Sequence, residues 1–204
     1  MIIETENLTK RFRRQGGVQG VPLSVPEGAT CALIGANGAG KTTLMRLLVN
    51  ILAPDRGSAH VLGTDSRRLN SADRLRIGYV TENQELPDRL SVAEYFVYVR
   101  GLYPNWDLTL EQQLRAQFEL PPGRLLGKLS HGMRMKAMLI GALAFRPRLL
   151  ILDEPLSGLD PLTRDEVMSG MLTQAGETTI LISSHELAEI EGCVTHVEIG
   201  RAHV

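Results

Sequence analysis

Apolar residues along this chain follow two rhythms. Short unbroken blocks predict buried strands, and stretches with apolar residues at every third or fourth position predict helices. Thr30-Cys31-Ala32-Leu33-Ile34, Ile77-Gly78-Tyr79-Val80, Leu149-Leu150-Ile151-Leu152 and Thr179-Ile180-Leu181-Ile182 are of the first kind. Thr43 to Ile51, carrying Leu44, Leu47, Leu48 and Ile51, is of the second. Ile2 to Glu6 alternates weakly and predicts an edge strand; Leu8 to Phe12 follows, then a charged, glycine-containing turn through Gly17. Leu23-Ser24-Val25 predicts a short second strand, which Pro26-Glu27-Gly28 turns into the next. Pro54 to Gly57 reads as a turn, Ser58 to Leu62 as a strand, and Arg67 to Arg76 as a surface loop with a helical turn.

The rhythm changes at Leu86. From there to Gly141 strand signal is scarce. Ser91 starts one helix, Leu108 to Phe118 forms a second, and Pro121-Pro122-Gly123 separates them from a third opened by Leu129-Ser130, with Ser130 as N-cap. This stretch reads as a helical subdomain inserted into an α/β core. A helix from about Leu162 to Gln174 and a short one near Glu186 to Glu191 flank the last apolar strand. Strands alternating with helices imply a mainly parallel sheet, with ligands at the strands' carboxyl ends.

The candidate chemistry starts between the Thr30–Ile34 strand and the helix after it. Gly35-Ala36-Asn37-Gly38-Ala39-Gly40-Lys41-Thr42 has the form G-x-x-x-x-G-K-[ST] in the strand–turn–helix context that makes it a phosphate-binding loop. Glycines let successive N–H groups face one point, and the following helix aims its positive end there. Lys41 adds a mobile cation for the outer phosphates, and the Thr42 hydroxyl is placed to ligate Mg²⁺. A chance match at the four fixed positions is expected in well under about 1% of chains of this length. A nucleotide phosphate site follows.

Composition narrows the setting. With 22 Lys and Arg against 23 Asp and Glu, scattered along 204 residues, nothing forms the basic stripe of a nucleic-acid binder. Cys31 and Cys193 lie far apart in apolar stretches and predict buried thiols in a reducing compartment rather than a disulfide. The longest apolar stretch, Ala137 to Phe145, is too short to span a membrane, and the N-terminus is no signal peptide, so a cytoplasmic character is expected.

A second half of the site stands at the end of Leu149-Leu150-Ile151-Leu152-Asp153-Glu154. One carboxylate at a strand end beside a phosphate loop can hold hydrated Mg²⁺. An adjacent one points elsewhere and can polarise an attacking water. Two buried acids with no cation nearby would be unfavourable, which argues against an accidental pair.

These motifs, taken in order, resemble the ATP-binding subunit of an ABC transporter, and the resemblance runs from Met1 to about Val197. Gly35 to Thr42 matches the family's first phosphate motif and Leu149 to Glu154 its second, with Glu154 as base. Ser157-Gly158-Leu159-Asp160 matches the loop that crosses the dimer interface, and Ser183-Ser184-His185 the switch histidine near the γ-phosphate. Leu129-Ser130-His131-Gly132-Met133 stands where the family carries Leu-Ser-Gly-Gly-Gln. The fold implied is a P-loop NTPase core (1–85 and 142–197) of mainly parallel sheet, with an N-terminal antiparallel β subdomain and the helical subdomain over 86–141.

The resemblance also implies a mechanism. Two copies, or this chain and a similar subunit, pack head to tail around two ATP molecules with Mg²⁺. Gly35, Asn37, Gly38, Ala39, Gly40, Lys41, Thr42 and Thr43 face the phosphates, and Thr42 and Asp153 the metal. Ser130, Gly132 and Asp160 act from across the interface, and Glu154, His185 and Lys41 are the catalytic set. Phe12 sits where the family places an aromatic that stacks on adenine. A separate membrane permease would follow the opening and closing, holding the pair at the cytoplasmic face. Leu86 to Val92 and Tyr103 to Asp107 resemble exporter-type subunits.

Departures from the pattern are informative. His131 and Met133 replace a glycine and the usual glutamine, while Ser130 and Gly132 remain. Glu82 occupies the place of a Mg²⁺-ligating glutamine, with Gln84 two residues later. One or two rings of Tyr95-Phe96-Val97-Tyr98 are candidates for a groove that receives the transport domain, and His60, His196 and His203 have no partner at metal-ligand spacing. Residues 198–204 leave the family pattern and resemble translated adaptor DNA, so a non-native tail that displaces later strands is expected there. The alternative function is a soluble ABC-type ATPase acting on ribosomes or DNA; tandem cassettes, a long coiled coil or a basic extension would mark it. A non-catalytic nucleotide switch is opposed by Glu154 and His185, and a small-molecule kinase by the signature segment.

Carboxylates are good Mg²⁺ ligands. Glu82→Gln is therefore expected to keep steady-state ATP hydrolysis within roughly tenfold of wild type, about 1.4 kcal/mol of barrier. Complete loss of phosphate release in that variant would remove Glu82 from the glutamine's role.

Overall fold

The computed structural model describes residues 1–12, 17–172, 178–190, 194 and 196–199, and in Glu189 and residues 197–199 the backbone alone. In chain order the strands are β1 (Ile3–Arg11), β2 (Gly17–Val25), β3 (Thr30–Ile34), β4 (Arg56–Val61), β5 (Thr64–Asp65), β6 (Ile77–Thr81), β7 (Leu149–Asp153), β8 (Thr179–Ser184) and β9 (His196–Ile199). The helices are α1 (Lys41–Leu48), α2 (Ser71–Arg74), α3 (Val92–Arg100), α4 (Leu108–Gln117), α5 (His131–Leu143) and α6 (Pro161–Leu172).

Two sheets form. The parallel one has strand order β6-β7-β8-β3-β9 and the antiparallel one β2-β1-β4-β5. Successive residues of the parallel strands enter opposite cores, which is why these strands read as continuous apolar runs. Leu149 and Ile151 of β7, Cys31 and Leu33 of β3 and Leu181 of β8 face a core shared with α1 and the antiparallel sheet. Leu150, Leu152, Ala32, Ile180 and Ile182 face a second core built with α3 to α6. An α/β fold with a parallel sheet and an N-terminal antiparallel sheet is therefore present. The helices α3 and α4 and most of α5 lie within residues 86–141, and the 141/142 division falls inside α5.

β1 is not an edge strand, contrary to the weak alternation of Ile2 to Glu6. It pairs with β2 on one side and β4 on the other. Burial alternates from Ile3 to Glu6, and the ladder then shifts register between Glu6 and Thr9, where Asn7 takes φ +49°. A bulge of this kind moves Leu8 into the core beside Ile3, both fully buried. β2 begins at Gly17, well before the expected Leu23, and β4 begins at Arg56, inside the expected turn. The helix after the phosphate loop ends at Leu48 rather than Ile51, because Asn50 adopts φ +58° and leaves Ile51 exposed. Near Glu186 the described residues form a short 3₁₀ turn, Leu187–Glu189, and Glu191 lies outside them.

Local signals fix the remaining helix starts. Ser91 and Glu94 make a reciprocal capping box at α3, Asp107 accepts from Leu110 N–H at α4, and Ser130 accepts from Met133 N–H at α5. Cys31 is a buried thiol, whereas Cys193, His203 and residues 200–204 lie outside the described residues; Glu198 and Ile199 pair with Leu33 and Ile34 through β9.

Among the described residues of the helical side, Glu111 is a buried acid, only 1% exposed. It accepts hydrogen bonds from Arg100 (2.8 Å), Trp106 (2.8 Å) and Arg115 (3.1 Å). Burial pushes its carboxyl up, but these three donors outweigh burial and hold it below the ordinary value of 4.5. A depressed carboxyl contributes stability above its unfolded value and loses it as pH falls. Glu111→Gln is expected to lower unfolding free energy at pH 7 by about 2 kcal/mol. Urea denaturation should show that gap to wild type narrowing as pH falls below about 4.5; a gap independent of pH would mean that Glu111 acts through packing alone.

Candidate functional site

Three parallel strands end level with one another. The register pairs Ile34 with Ser184 and Asp153 with Ser183, so Gly35, Glu154 and His185 leave the sheet at the same edge. The phosphate loop leaves from β3, its first N–H bonded to Ser184 O at 3.3 Å. It enters α1 through Gly40, which has φ +90°. A Cβ there would lie 2.4 Å from Gly17 O, so only glycine lets the loop pass under the start of β2.

Lys41 opens α1 and is itself only 6% exposed. Its ammonium donates to the carbonyls of Gly35 and Ala36 and stands 2.9 Å from Glu154 Oε1. Glu154 Oε2 meets His185 Nδ1 at 3.0 Å. Lysine from the start of α1 and glutamate and histidine from two strand ends thus form one continuous chain. Glu154 takes φ +51°, a conformation that costs a non-glycine residue about 1–2 kcal/mol.

Ser183, fully buried on β8, holds both acids in place. Its hydroxyl donates to Asp153 Oδ1 at 2.9 Å and accepts the Glu154 N–H at 2.9 Å. The Asp153 carbonyl accepts from Glu82 N–H at 3.2 Å, which brings the end of β6 alongside.

A cavity of about 480 Å³ opens at this edge, lined by Phe12, Gly17, Asn37, Gly38, Ala39, Gly40, Lys41, Thr42, Thr43, Glu82, Glu154, Ser157 and His185. Most of the expected phosphate, metal and catalytic residues are therefore gathered. Phe12, 44% exposed, stands at its rim, and Asp153 is buried behind it. Glu82 lines this cavity, whereas Gln84 lines a separate groove of about 270 Å³ beside Tyr95, Tyr98 and Tyr103. Tyr95 and Phe96 are buried, and Val97 and Tyr98 are exposed.

Ser130, Gly132 and Asp160 are not among the lining residues. Asp160 caps α6, accepting from Thr163 Oγ1 (2.7 Å) and Thr163 N–H (3.0 Å), which hold its carboxyl below the usual carboxylate range. Gly132 abuts that same Thr163: a Cβ on it would lie 2.5 Å from Thr163 Cγ2. Sequence reasoning gave Gly17 and Ser183 no role at the site. Gly17 carried no signal, since its contact with Gly40 is long-range; Ser183 stood next to His185 but nothing local tied it to the acids.

A glycine-rich loop between a parallel strand and a buried-lysine helix, with acids at the next strand ends, defines a P-loop nucleotide-binding α/β domain. The profile of the ABC transporter family matches residues 18–157, and the chain belongs to that family. It is 33% identical over 194 residues to the bacitracin transport ATP-binding protein BcrA of Enterococcus faecalis, covering 93% of this chain and 63% of that protein. With the daunorubicin resistance ATP-binding protein DrrA2 of Streptomyces coeruleorubidus it shares 34% identity over 210 residues, covering 98% and 65%. The chain thus spans less than two thirds of the length of these relatives. A solved ATP-binding subunit of an ABC transporter superposes with a TM-score of 0.87 at 27% identity, over 99% of this chain and 87% of that one. Among the described residues no helix is long and apolar enough to cross a membrane.

Replacing Ser183 by Ala leaves a buried carboxylate oxygen and a backbone N–H without their shared partner. Ser183→Ala should lower unfolding free energy by about 2 kcal/mol, read from chemical denaturation. A loss under about 0.5 kcal/mol would show that water replaces the hydroxyl there.

Proposed function

We propose that this chain binds and hydrolyses MgATP as one half of a head-to-tail dimer, and that hydrolysis drives export through a separate membrane permease. The observation that carries the reading is the Lys41–Glu154–His185 chain at the floor of the phosphate cavity. Family membership supports it, and so do relatives whose names give bacitracin transport and daunorubicin resistance as their work.

Each group has a defined task. Backbone N–H groups from Asn37 to Thr43 and the amino end of α1 receive the phosphates, and Lys41 exchanges Glu154 for the outer phosphate oxygens. Glu154, released from Lys41, orients a water in line and accepts its proton, and His185 holds the carboxylate by Oε2 and reaches the γ-phosphate. Phe12 supplies a face for the adenine.

The donor set suits Mg²⁺. Thr42, Asp153 and Glu82 offer hydroxyl and carboxylate oxygens, the hard donors that this ion takes. Thr42, Asp153 and Glu82 would hold it, directly or through water; bound there, Mg²⁺ neutralises charge on the phosphate oxygens. Ser130, Gly132 and Asp160 act across the dimer. Their placement away from this chain's own cavity supports that assignment, because the amino end of α5 reaches a phosphate only on a second copy. The groove at Tyr98 and Gln84 receives the permease, which keeps the pair at the cytoplasmic face of the membrane.

Glu154→Gln removes the base and keeps the shape. ATP turnover should fall about 10²–10⁴-fold, while light scattering after gel filtration shows an ATP-dependent dimer. Monomer at saturating ATP in this variant would overturn the sandwich.

A further inference from the structure

His131 is the residue by which this chain departs most from the Leu-Ser-Gly-Gly-Gln pattern, and the reading above gives it no task. It is the first residue of α5, directly after the capping Ser130, and its ring is exposed. The ring turns back across the helix end, and Nε2 meets the carbonyl of Ser157 at 3.1 Å. A carbonyl only accepts, so Nε2 carries the hydrogen and donates.

Ser157 is bonded on its other side to the catalytic segment. Its N–H donates to the carbonyl of Glu154 at 3.2 Å, and Ser157 itself lines the phosphate cavity. The connection is therefore short: His131 to Ser157, and Ser157 to Glu154. A second contact runs parallel to it. Gly132 packs against Thr163, and Thr163 binds Asp160 at the end of the same 154–160 segment. The amino end of α5 thus grips both the middle and the end of the segment that begins with Glu154.

That segment needs an anchor. Glu154 sits in the left-handed region, which the backbone does not hold without help from its surroundings. We propose that His131 is a positioning residue for ATP hydrolysis: it clamps Ser157 to the amino end of α5 and so fixes the backbone of Glu154. This inference rests on the proposed ATPase function and adds a residue to it.

Two variants and two readouts test it. His131→Ala removes the donor, and His131→Gln restores an N–H at similar reach. For the full chain, kcat of His131→Ala should fall about tenfold, the effect of one ordinary hydrogen bond expressed on the barrier. KM for ATP should stay close to wild type, because Lys41 and Thr42 stand on another loop. The Gln variant should recover most of the loss. In nucleotide-free protein, exchange of the Ser157 amide should quicken in His131→Ala and return toward wild type in His131→Gln. An unchanged kcat in the Ala variant overturns the proposal, as does a Gln variant no better than Ala. If wild type itself fails to turn over ATP, the function proposed above falls and amide exchange alone decides the clamp. Equal exchange in the Ala and Gln variants then rejects it.

Discussion

The in-register parallel ladder of β7, β8 and β3 is the constraint on which the site depends. Backbone hydrogen bonds set Asp153 opposite Ser183 and Ser184 opposite Ile34, so three chain segments far apart in sequence leave the sheet at one edge. Lys41, Glu154 and His185 can then meet with side chains of ordinary length. A slip of one residue in either pairing would exchange the core faces of a strand whose two sides pack into different cores. The same apolar packing that makes the sheet stable therefore fixes the geometry of the charged groups at its end.

Those charges sit in poorly hydrated surroundings and are arranged accordingly. The Lys41 side chain is 5% exposed and the Glu154 side chain 15%. Either one alone would be unfavourable there; Lys41 is held by two loop carbonyls and by its ion pair with Glu154, whose other oxygen meets His185. The arrangement also sets a condition on ligand binding. Under the proposed function, phosphate displaces the Glu154 carboxylate from Lys41, and the released carboxylate becomes the proposed base for water.

Much of this was legible in the sequence. The blocks at Thr30, Ile77, Leu149 and Thr179 became β3, β6, β7 and β8, because buried parallel strands need apolar residues on both faces. Ser91 and Ser130 start helices where expected, because a cap is a local interaction. The phosphate loop was legible because its glycines, lysine and threonine are contiguous. β1 was misread as an edge: its bulge at Asn7 and its two partners depend on β2 and β4, which no local window contains. Gly17 and Ser183 were missed for the same reason.

By itself, the sequence determined the order of strands and helices, the phosphate loop and the acids at the end of β7, since each is written within a few adjacent residues. Tertiary structure decided which strand neighbours which and that Glu82, not Gln84, lines the phosphate cavity. It also decided that Ser130, Gly132 and Asp160 stand away from that cavity in their own chain. These outcomes depend on how apolar faces from distant segments close over one another. Burial is a property of the assembled fold, and a linear pattern can state only which residues are available for it.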